Sequence, residues 1–196
     1  MKIGVLAVQG AFIEHENMLK KLGADCVEIR QKEQLAGIDG IVLPGGESTV
    51  QGQLLRKLDM LDSLKDMIKN GLPVLATCAG LILLSETIEN DSLSHIGTLP
   101  VVVKRNAYGR QLSSFTTDAA VEGVGEYPMV FIRAPYIDSV SEGVKVLATV
   151  DDHIVAVQYH NQIGLSFHPE LTSDPRMHEY FLQVVKERNE SHLKRP

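Results

Sequence analysis

Asn70-Gly-Leu-Pro-Val-Leu-Ala-Thr-Cys-Ala-Gly80, running directly into Leu81-Ile-Leu-Leu84, is the stretch on which the fold turns. A short apolar run bounded by Asn70-Gly71 on one side and Ala79-Gly80 on the other reads as a buried strand that turns sharply into a helix. Cys78 falls at the turn, beside the free backbone N–H groups of a helix N-terminus, whose partial positive charge favours thiolate over thiol. By residue type alone a cysteine is more often a small buried apolar residue than a nucleophile. Its surroundings in the chain have to decide between the two.

Outward from this strand, the N-terminal side alternates. Ile3 to Val8 is a continuous apolar run, and Ala11 to Leu22 then carries Phe12, Met18, Leu19 and Leu22 at helical spacing. Gly23 ends that helix, Asp25–Arg30 alternates as a second strand, and Asp39–Leu43 is a third. Helices are expected at about 49–58 and 60–69, ahead of the Cys78 strand, with a further helix at about 79–87. Strands alternating with helices indicate right-handed βαβ units and a parallel sheet covered on both faces. On the C-terminal side the texture changes to short β-rich runs at 101–103, 111–117, 129–132, 144–150, 153–159 and 162–167, read as antiparallel additions to the sheet. A last helix is expected from Pro175 to Glu187. The predicted fold is therefore α/β, three-layered, with a mostly parallel central sheet, helices on both faces and antiparallel strands in the C-terminal half. Residues 1–188 read as one domain and residues 189–196 as a polar, frayed tail.

Composition bounds the function. The chain has 196 residues, 44% of them hydrophobic and 22% charged, which is ordinary for a globular domain. A formal net charge of -6 offers no basic footprint for nucleic acid. Only Cys26 and Cys78 are present, so no disulfide framework or cysteine metal site is expected, and Cys26 reads as a plain strand residue. Met1 to Val8 flows into a charged amphipathic segment without a cleavage site and reads as a first strand rather than a secretory leader. No run approaches the ~20 apolar residues of a membrane span, so a cytoplasmic protein is expected.

Ligands of an open parallel sheet collect outside the carboxyl ends of its strands, and three groups fall at such ends: Cys78, Pro44–Thr49 and His168-Pro169-Glu170. Pro169 pushes His168 into an extended conformation, where residues two apart face the same side, so His168 and Glu170 can touch. A carboxylate on one ring nitrogen fixes the tautomer and frees the other nitrogen to take a proton from a thiol. Taken alone, His-x-Glu is more often a structural salt link or a helix-start carboxylate. The histidines at 15, 95, 153, 160, 178 and 192 lack this arrangement and read as surface residues, without the spacing of a metal site. The consecutive glycines of Pro44-Gly-Gly-Glu-Ser-Thr49 let backbone N–H groups converge on an anion or a developing oxyanion, and Ser48 or Thr49 can cap the next helix. No Gly-Lys-Ser/Thr follows, which excludes a P-loop. Arg105, Arg110 and Arg133 stand beside strand ends, where a guanidinium fork can hold the carboxylate of a small amino acid. Tyr108 and Tyr136 can line such a pocket or pack.

These segments closely resemble the class I, or triad, glutamine amidotransferases: Ala76-Thr-Cys-Ala-Gly80 as nucleophile elbow, Ser166-Phe-His-Pro-Glu-Leu-Thr172 as the His/Glu pair, and Leu43-Pro-Gly-Gly-Glu-Ser-Thr49. More narrowly, Val8-Gln-Gly-Ala11, the Pro44–Thr49 loop, Arg105-Asn-Ala-Tyr-Gly-Arg-Gln111 with Ser114-Phe115, and Phe131-Ile-Arg-Ala-Pro135 are similar to the glutaminase subunits of two-component pyridoxal 5′-phosphate synthases. The likeness spans Lys2 to about residue 187. It implies Cys78 as nucleophile, His168 as general base and acid, and Glu170 as its orienter. It also implies Gly46, Glu47, Ser48, Arg105, Ile132 and Arg133 as glutamine-binding positions, with the N–H groups of Gly46 and Ala79 as oxyanion hole. The implied partner is a (β/α)₈-barrel synthase in a large hetero-oligomer, docked around Gln9, Gly10 and Ala11 and needed for full activity; no cofactor or metal is implied.

Three features depart from the family. The elbow begins with Ala76 where glycine is usual, Tyr136 stands where histidine is frequent, and Gln158-Tyr-His-Asn161 is unusual. Other readings are the glutaminase of imidazole glycerol phosphate synthase, which the Arg105–Gln111 segment argues against, and a non-catalytic regulatory module, which would have a broken triad. A cysteine peptidase is disfavoured by the Gly-Gly-Glu-Ser and arginine positions, which suit a free amino acid.

Overall fold

The computed structural model describes residues 1–105 and 114–193 of the chain. The first four apolar runs form β1 (Lys2–Leu6), β2 (Asp25–Ile29), β3 (Gly40–Leu43) and β4 (Val74–Thr77). Between them lie α1 (Phe12–Lys21), α2 (Ser48–Lys57) and α3 (Leu61–Lys69). β1 pairs in parallel with β2 on one side and β3 on the other, and β3 pairs in parallel with β4. The chain thus steps one way from β1 to β2 and the other way from β3 to β4. Right-handed crossovers then put α1 on one face of the sheet and α2 and α3 on the other. The period-two alternation of the strands serves both faces. Val42 and Leu75 point into the core shared with Leu19 of α1, while Ile41, Leu43, Val74 and Ala76 point into the core shared with Leu55 of α2 and Leu64 of α3.

Beyond β4, α4 (Ala79–Leu84) is a buried helix of six residues. It stops earlier than expected, because Ser85 takes an extended backbone and opens β5 (Ser85–Ile88), a strand at a position read as helix. Thr87 and Ile88, β-branched, fit that strand better than a helix end. β6 (Leu99–Lys104), β7 (Ser114–Val121), β8 (Gly125–Ile132), β9 (Tyr136–Val140), β10 (Lys145–Val150), β11 (His153–Tyr159) and β12 (Gln162–Leu165) follow. The main sheet runs β2-β1-β3-β4-β12-β11-β9-β6-β5, with β10 paired to β11.

Three C-terminal strands depart from the antiparallel additions expected. β12 enters the middle of the sheet, parallel to β4, and is buried at every residue, as a central parallel strand must be. β7 and β8 leave the main sheet and pair with each other. In β8, Tyr127, Met129 and Phe131 alternate inward and close the core over the α1 face. α5 (Arg176–Leu193) lies on the same side, burying Met177, Phe181 and Val185. It outruns the expected end at Glu187, so residues 189–193 are helix rather than frayed tail, helped by the bond from Asn189 Nδ2 to Asp39 Oδ1 at 3.2 Å. No helix among the described residues is long and apolar enough to cross a membrane.

Gly80, in the first turn of α4, sits against β3. A Cβ built there would meet Leu43 O at 2.0 Å, so the helix can approach the sheet only with hydrogen at this position. Gly80→Ala is expected to destabilise the fold by about 1–3 kcal/mol through overpacking. A urea unfolding midpoint equal to that of the parent chain would contradict this.

Candidate active site

Cys78 stands between β4 and α4 with φ 49° and ψ −102°, in a region of backbone space that non-glycine residues rarely enter. Such a conformation costs about 1–3 kcal/mol and persists only where its surroundings fix it. Here the Cys78 N–H donates to Leu165 O at 2.8 Å, continuing the β4–β12 ladder, and Cys78 O accepts from Ile82 N–H at 3.2 Å. Ala76 occupies regular strand between Leu43 and Gly164, so the elbow forms with alanine at this position. The thiol Sγ lies 4.0 Å from Ile132 O, at the end of β8.

His168 follows β12 and is held by its N–H to Val130 O at 2.8 Å. Pro169 then opens a single 3₁₀ turn, Pro169–Leu171, that brings Glu170 Oε1 to 2.7 Å from His168 Nδ1. Burial alone would lower the His168 pKa, but hydrogen bonds to Cys78 and Glu170 push it up to about 10, so the ring is an imidazolium at neutral pH. Burial likewise opposes the Glu170 charge, and His15 together with the hydrogen bond from His168 holds the carboxylate below its ordinary range. The other side of the ring faces Gly45, where a Cβ would meet His168 Cε1 at 2.4 Å.

Three of the histidines read as surface residues are buried. His15 on α1 and His178 on α5 are fully enclosed: His15 Nδ1 is 2.9 Å from His178 Nε2, and His15 Nε2 is 3.2 Å from Thr77 Oγ1 and 3.3 Å from Glu170 Oε2. His95 is buried against α2, its Nδ1 3.3 Å from Arg56 Nη1. The signal available in sequence was faint. His15 and His178 each occupy the inward face of an amphipathic helix, where a polar residue needs a partner.

The Pro44–Ser48 loop rests on the turn after β1. Ala11 N–H donates to Gly45 O at 3.0 Å, Gln51 Nε2 to Gln9 O at 2.9 Å, and Glu47 N–H to Gln9 Oε1 at 2.9 Å. Gly10 is required by this contact, since a Cβ there would lie 1.9 Å from Gly45 O. Glu47, rather than Ser48 or Thr49, caps α2, its carboxylate accepting from the N–H groups of Thr49 and Val50. A charged acceptor suits the positive end of the helix better than a hydroxyl.

These elements enclose a cavity of about 450 Å³ lined by Gln9, Ala11, Gly45, Gly46, Glu47, Ser48, Cys78, Ala79, Ile82, Arg105, Ile132, Arg133, Pro135 and His168. It thus brings Cys78 and His168 together with all the expected glutamine-binding positions and both expected oxyanion donors. Glu170 stands behind His168. Arg105 is tethered to Asp91 at 3.1 Å, and Arg133, exposed, has φ 43°, a second strained backbone at the cavity. Asn106 to Gln111, with Tyr108 and Arg110, lies outside the described residues. Tyr136 is not at the cavity and stacks on His153 at 4.3 Å. Gln158–Asn161 forms the turn into β12 at the opposite end of the sheet, where Asn161 Nδ2 donates to Gly71 O at 2.9 Å. A larger cavity of about 760 Å³ lies at that end, far from Cys78 and His168. Cys26 is a half-buried strand residue whose thiol burial pushes up to about 11.

A strained cysteine and His168, lining one cavity with Gly45, Gly46, Ala79 and two arginines, suit nucleophilic attack on the side-chain amide of an amino acid. Comparison with known proteins agrees. The model of the SNO glutamine amidotransferase family matches residues 5–187. The pyridoxal 5′-phosphate synthase subunit PdxT of Desulfitobacterium hafniense is 60% identical over 188 residues, covering 95% of this chain and 94% of that one. The subunit of the same name from Streptococcus pneumoniae is 53% identical over 193 residues, covering 96% and 100%. A crystal structure of a glutamine amidotransferase superposes with a TM-score of 0.91 at 45% identity, covering 94% of this chain and 98% of that one. PurLQS from Thermotoga maritima, at 16% identity and a TM-score of 0.71, covering 94% and 98%, shares the fold. The chain belongs to the SNO glutamine amidotransferase family.

Proposed function

We propose that this chain is the glutaminase subunit of a pyridoxal 5′-phosphate synthase, hydrolysing L-glutamine to L-glutamate and ammonia and handing the ammonia to a synthase subunit. The observation that carries the chemistry is the His168 ring, bonded through Nδ1 to Glu170 at 2.7 Å and lining the same cavity as Cys78. Arg105, Arg133, Glu47 and Ser48 hold the α-amino and α-carboxylate groups of glutamine, with Ile132 along its chain. The Cys78 thiolate attacks the side-chain amide carbon, and the oxyanion that forms is met by the N–H groups of Gly46 and Ala79. Collapse breaks the C–N bond. Ammonia departs with the proton of His168, leaving a glutamyl thioester on Cys78. His168, now neutral, takes a proton from water, which attacks the thioester and releases glutamate and the thiolate.

Naming of the 60% and 53% identical relatives as subunits of pyridoxal 5′-phosphate synthase supports the acceptor side of this reading. Ammonia released into solvent is lost to the acceptor, so the chain docks on a (β/α)₈-barrel synthase within a hetero-oligomer, and docking raises its activity. Gln9, Gly10 and Ala11 are half-exposed and brace the Gly45-Gly46 loop, which suits a segment that touches the partner on one side and the oxyanion site on the other. Residues 1–188 act as one domain. We place the reaction in the cytoplasm, where the free thiols of Cys26 and Cys78 persist.

Glutamate release is expected to be slow in the isolated chain, fast with its synthase, and abolished in both by Cys78→Ala; hydrolysis surviving that substitution removes the mechanism. The pH profile follows from His168. Its imidazolium is the proton donor to ammonia and persists until the pH passes about 10, so the alkaline limb of kcat/KM in the complex is expected near that value. Glu170→Gln removes a group that raises the His168 pKa and should shift this limb to lower pH while reducing kcat. An alkaline limb indifferent to Glu170→Gln would contradict the assignment.

A further inference from the structure

The triad uses one oxygen of the Glu170 carboxylate. The other, Oε2, is buried and makes no hydrogen bond of ordinary geometry among the described residues, yet His15 Nε2 stands 3.3 Å from it. A carboxylate only accepts, so this approach is attractive when Nε2 carries a proton. In the neutral ring Nδ1 is then a lone pair and must accept from His178 Nε2–H, 2.9 Å away. That leaves His178 Nδ1 bare, and of the ring nitrogens of this pair it is the one without a partner among the described residues. One tautomer assignment therefore accounts for the His178–His15 contact and for the approach of His15 Nε2 to Glu170 Oε2, while the Nε2 bond of ordinary geometry is the one to Thr77 Oγ1.

Burial enforces neutrality. It lowers the His15 pKa against the pull of Glu170, and together with His15 it pushes His178 down to about 3. The ionisable groups facing His15 are Glu170, His168 and His178, with Glu14 on its own helix. Thr77 Oγ1, on the residue before the nucleophile, lies 3.2 Å from the same Nε2 and shares its proton. Catalytic hydrogen bonds are often loosely aligned before substrate binds, and the 3.3 Å approach is of that kind.

We infer that His15 is a positioning residue of the triad: its Nε2–H, oriented by His178, holds the second oxygen of Glu170 and through it the aim of His168 at Cys78. This rests on the glutaminase reading above and adds to it a link from α1, the helix that follows Gln9–Ala11, to the catalytic carboxylate. A buried His–His pair that merely packs α1 against α5 would not need a ring nitrogen 3.3 Å from the second oxygen of Glu170.

The test is glutamine hydrolysis by the complex with its synthase, comparing the parent chain, Cys78→Ala, His15→Phe, His15→Gln and His178→Phe. His15→Phe keeps the ring and removes both nitrogens. It is expected to lower kcat about 10- to 100-fold, by analogy with losing the outer hydrogen-bond partner of a metal-ligating histidine, with KM unchanged. Without its donor the Glu170 charge is disfavoured, so the acid limb of kcat moves to higher pH. His15→Gln, which retains an N–H donor, should restore most of the rate and return the limb. Parental kcat and pH profile in His15→Phe overturn the inference, as does a loss that His15→Gln leaves unrepaired. If His15→Phe fails to fold, His178→Phe decides: kcat must fall at unchanged KM, and parental kcat there overturns it. Cys78→Ala separates the two levels, since activity surviving it sinks the glutaminase reading, whereas abolition with parental His15 variants sinks only the role of His15.

Discussion

Cys78 is held at φ 49° because three strands leave it no alternative. β4 delivers the residue, the ladder to β12 captures its N–H at Leu165 O, and α4 must start at once because Gly80 lies against the Leu43 carbonyl of β3. A strain of about 1–3 kcal/mol is offset by the packing of a helix and three central strands that are almost wholly buried. The consequence is chemical. A sharp turn lifts the side chain clear of the strand edge, places it at a cavity, and leaves the first N–H groups of α4 without helical partners, available to a developing oxyanion.

Every other part of the site is set by its distance from that elbow. The strand order reverses between the parallel neighbours β1 and β3, which opens a crevice at their carboxyl ends. The turn after β1 and the Gly-Gly loop after β3 fill it and bind each other through Ala11, Gln9 and Gln51. β12, inserted beside β4, brings His168 to the thiol from the other side, with Gly45 small enough to let the ring in. The β7–β8 hairpin contributes Ile132 and Arg133, whose positive φ turns the chain back toward β9.

Electrostatics then order the site along one line. A buried carboxylate is tolerable only if donors surround it, and Glu170 meets His168 on one oxygen and His15 on the other. The two imidazoles differ in charge because their outer neighbours differ. His168 faces Cys78 and is held protonated, whereas His15 faces another neutral ring and is fully enclosed. Two histidines a few ångströms from the same carboxylate thus stand in different settings, which suits the different roles proposed for them.

Local pattern was enough for much of this. The four N-terminal strands, their helices, the Cys78 elbow and the His168/Glu170 pair are legible in sequence because each depends on residues within a few positions: an apolar run ending in Ala-Gly, a proline that keeps His168 extended, adjacent glycines after a strand. Where strands joined the sheet was not legible. β12 and β7–β8 are all short β-rich runs, and only long-range packing sends one into the centre and the others into a separate hairpin. β5 hid within an apolar stretch that also suits a helix. His15 and His178 looked like surface residues because the pair that satisfies them is separated by 163 positions and meets only when α1 and α5 cover the same face of the sheet. By itself, then, the sequence determined most of the order of elements, the turn at Cys78 and the pairing of His168 with Glu170, since local sterics and periodicity fix those. The tertiary structure alone decided which strands are neighbours and what stands behind Glu170, since a buried polar group takes its partner from whatever the fold brings within three ångströms or so, not from the chain beside it.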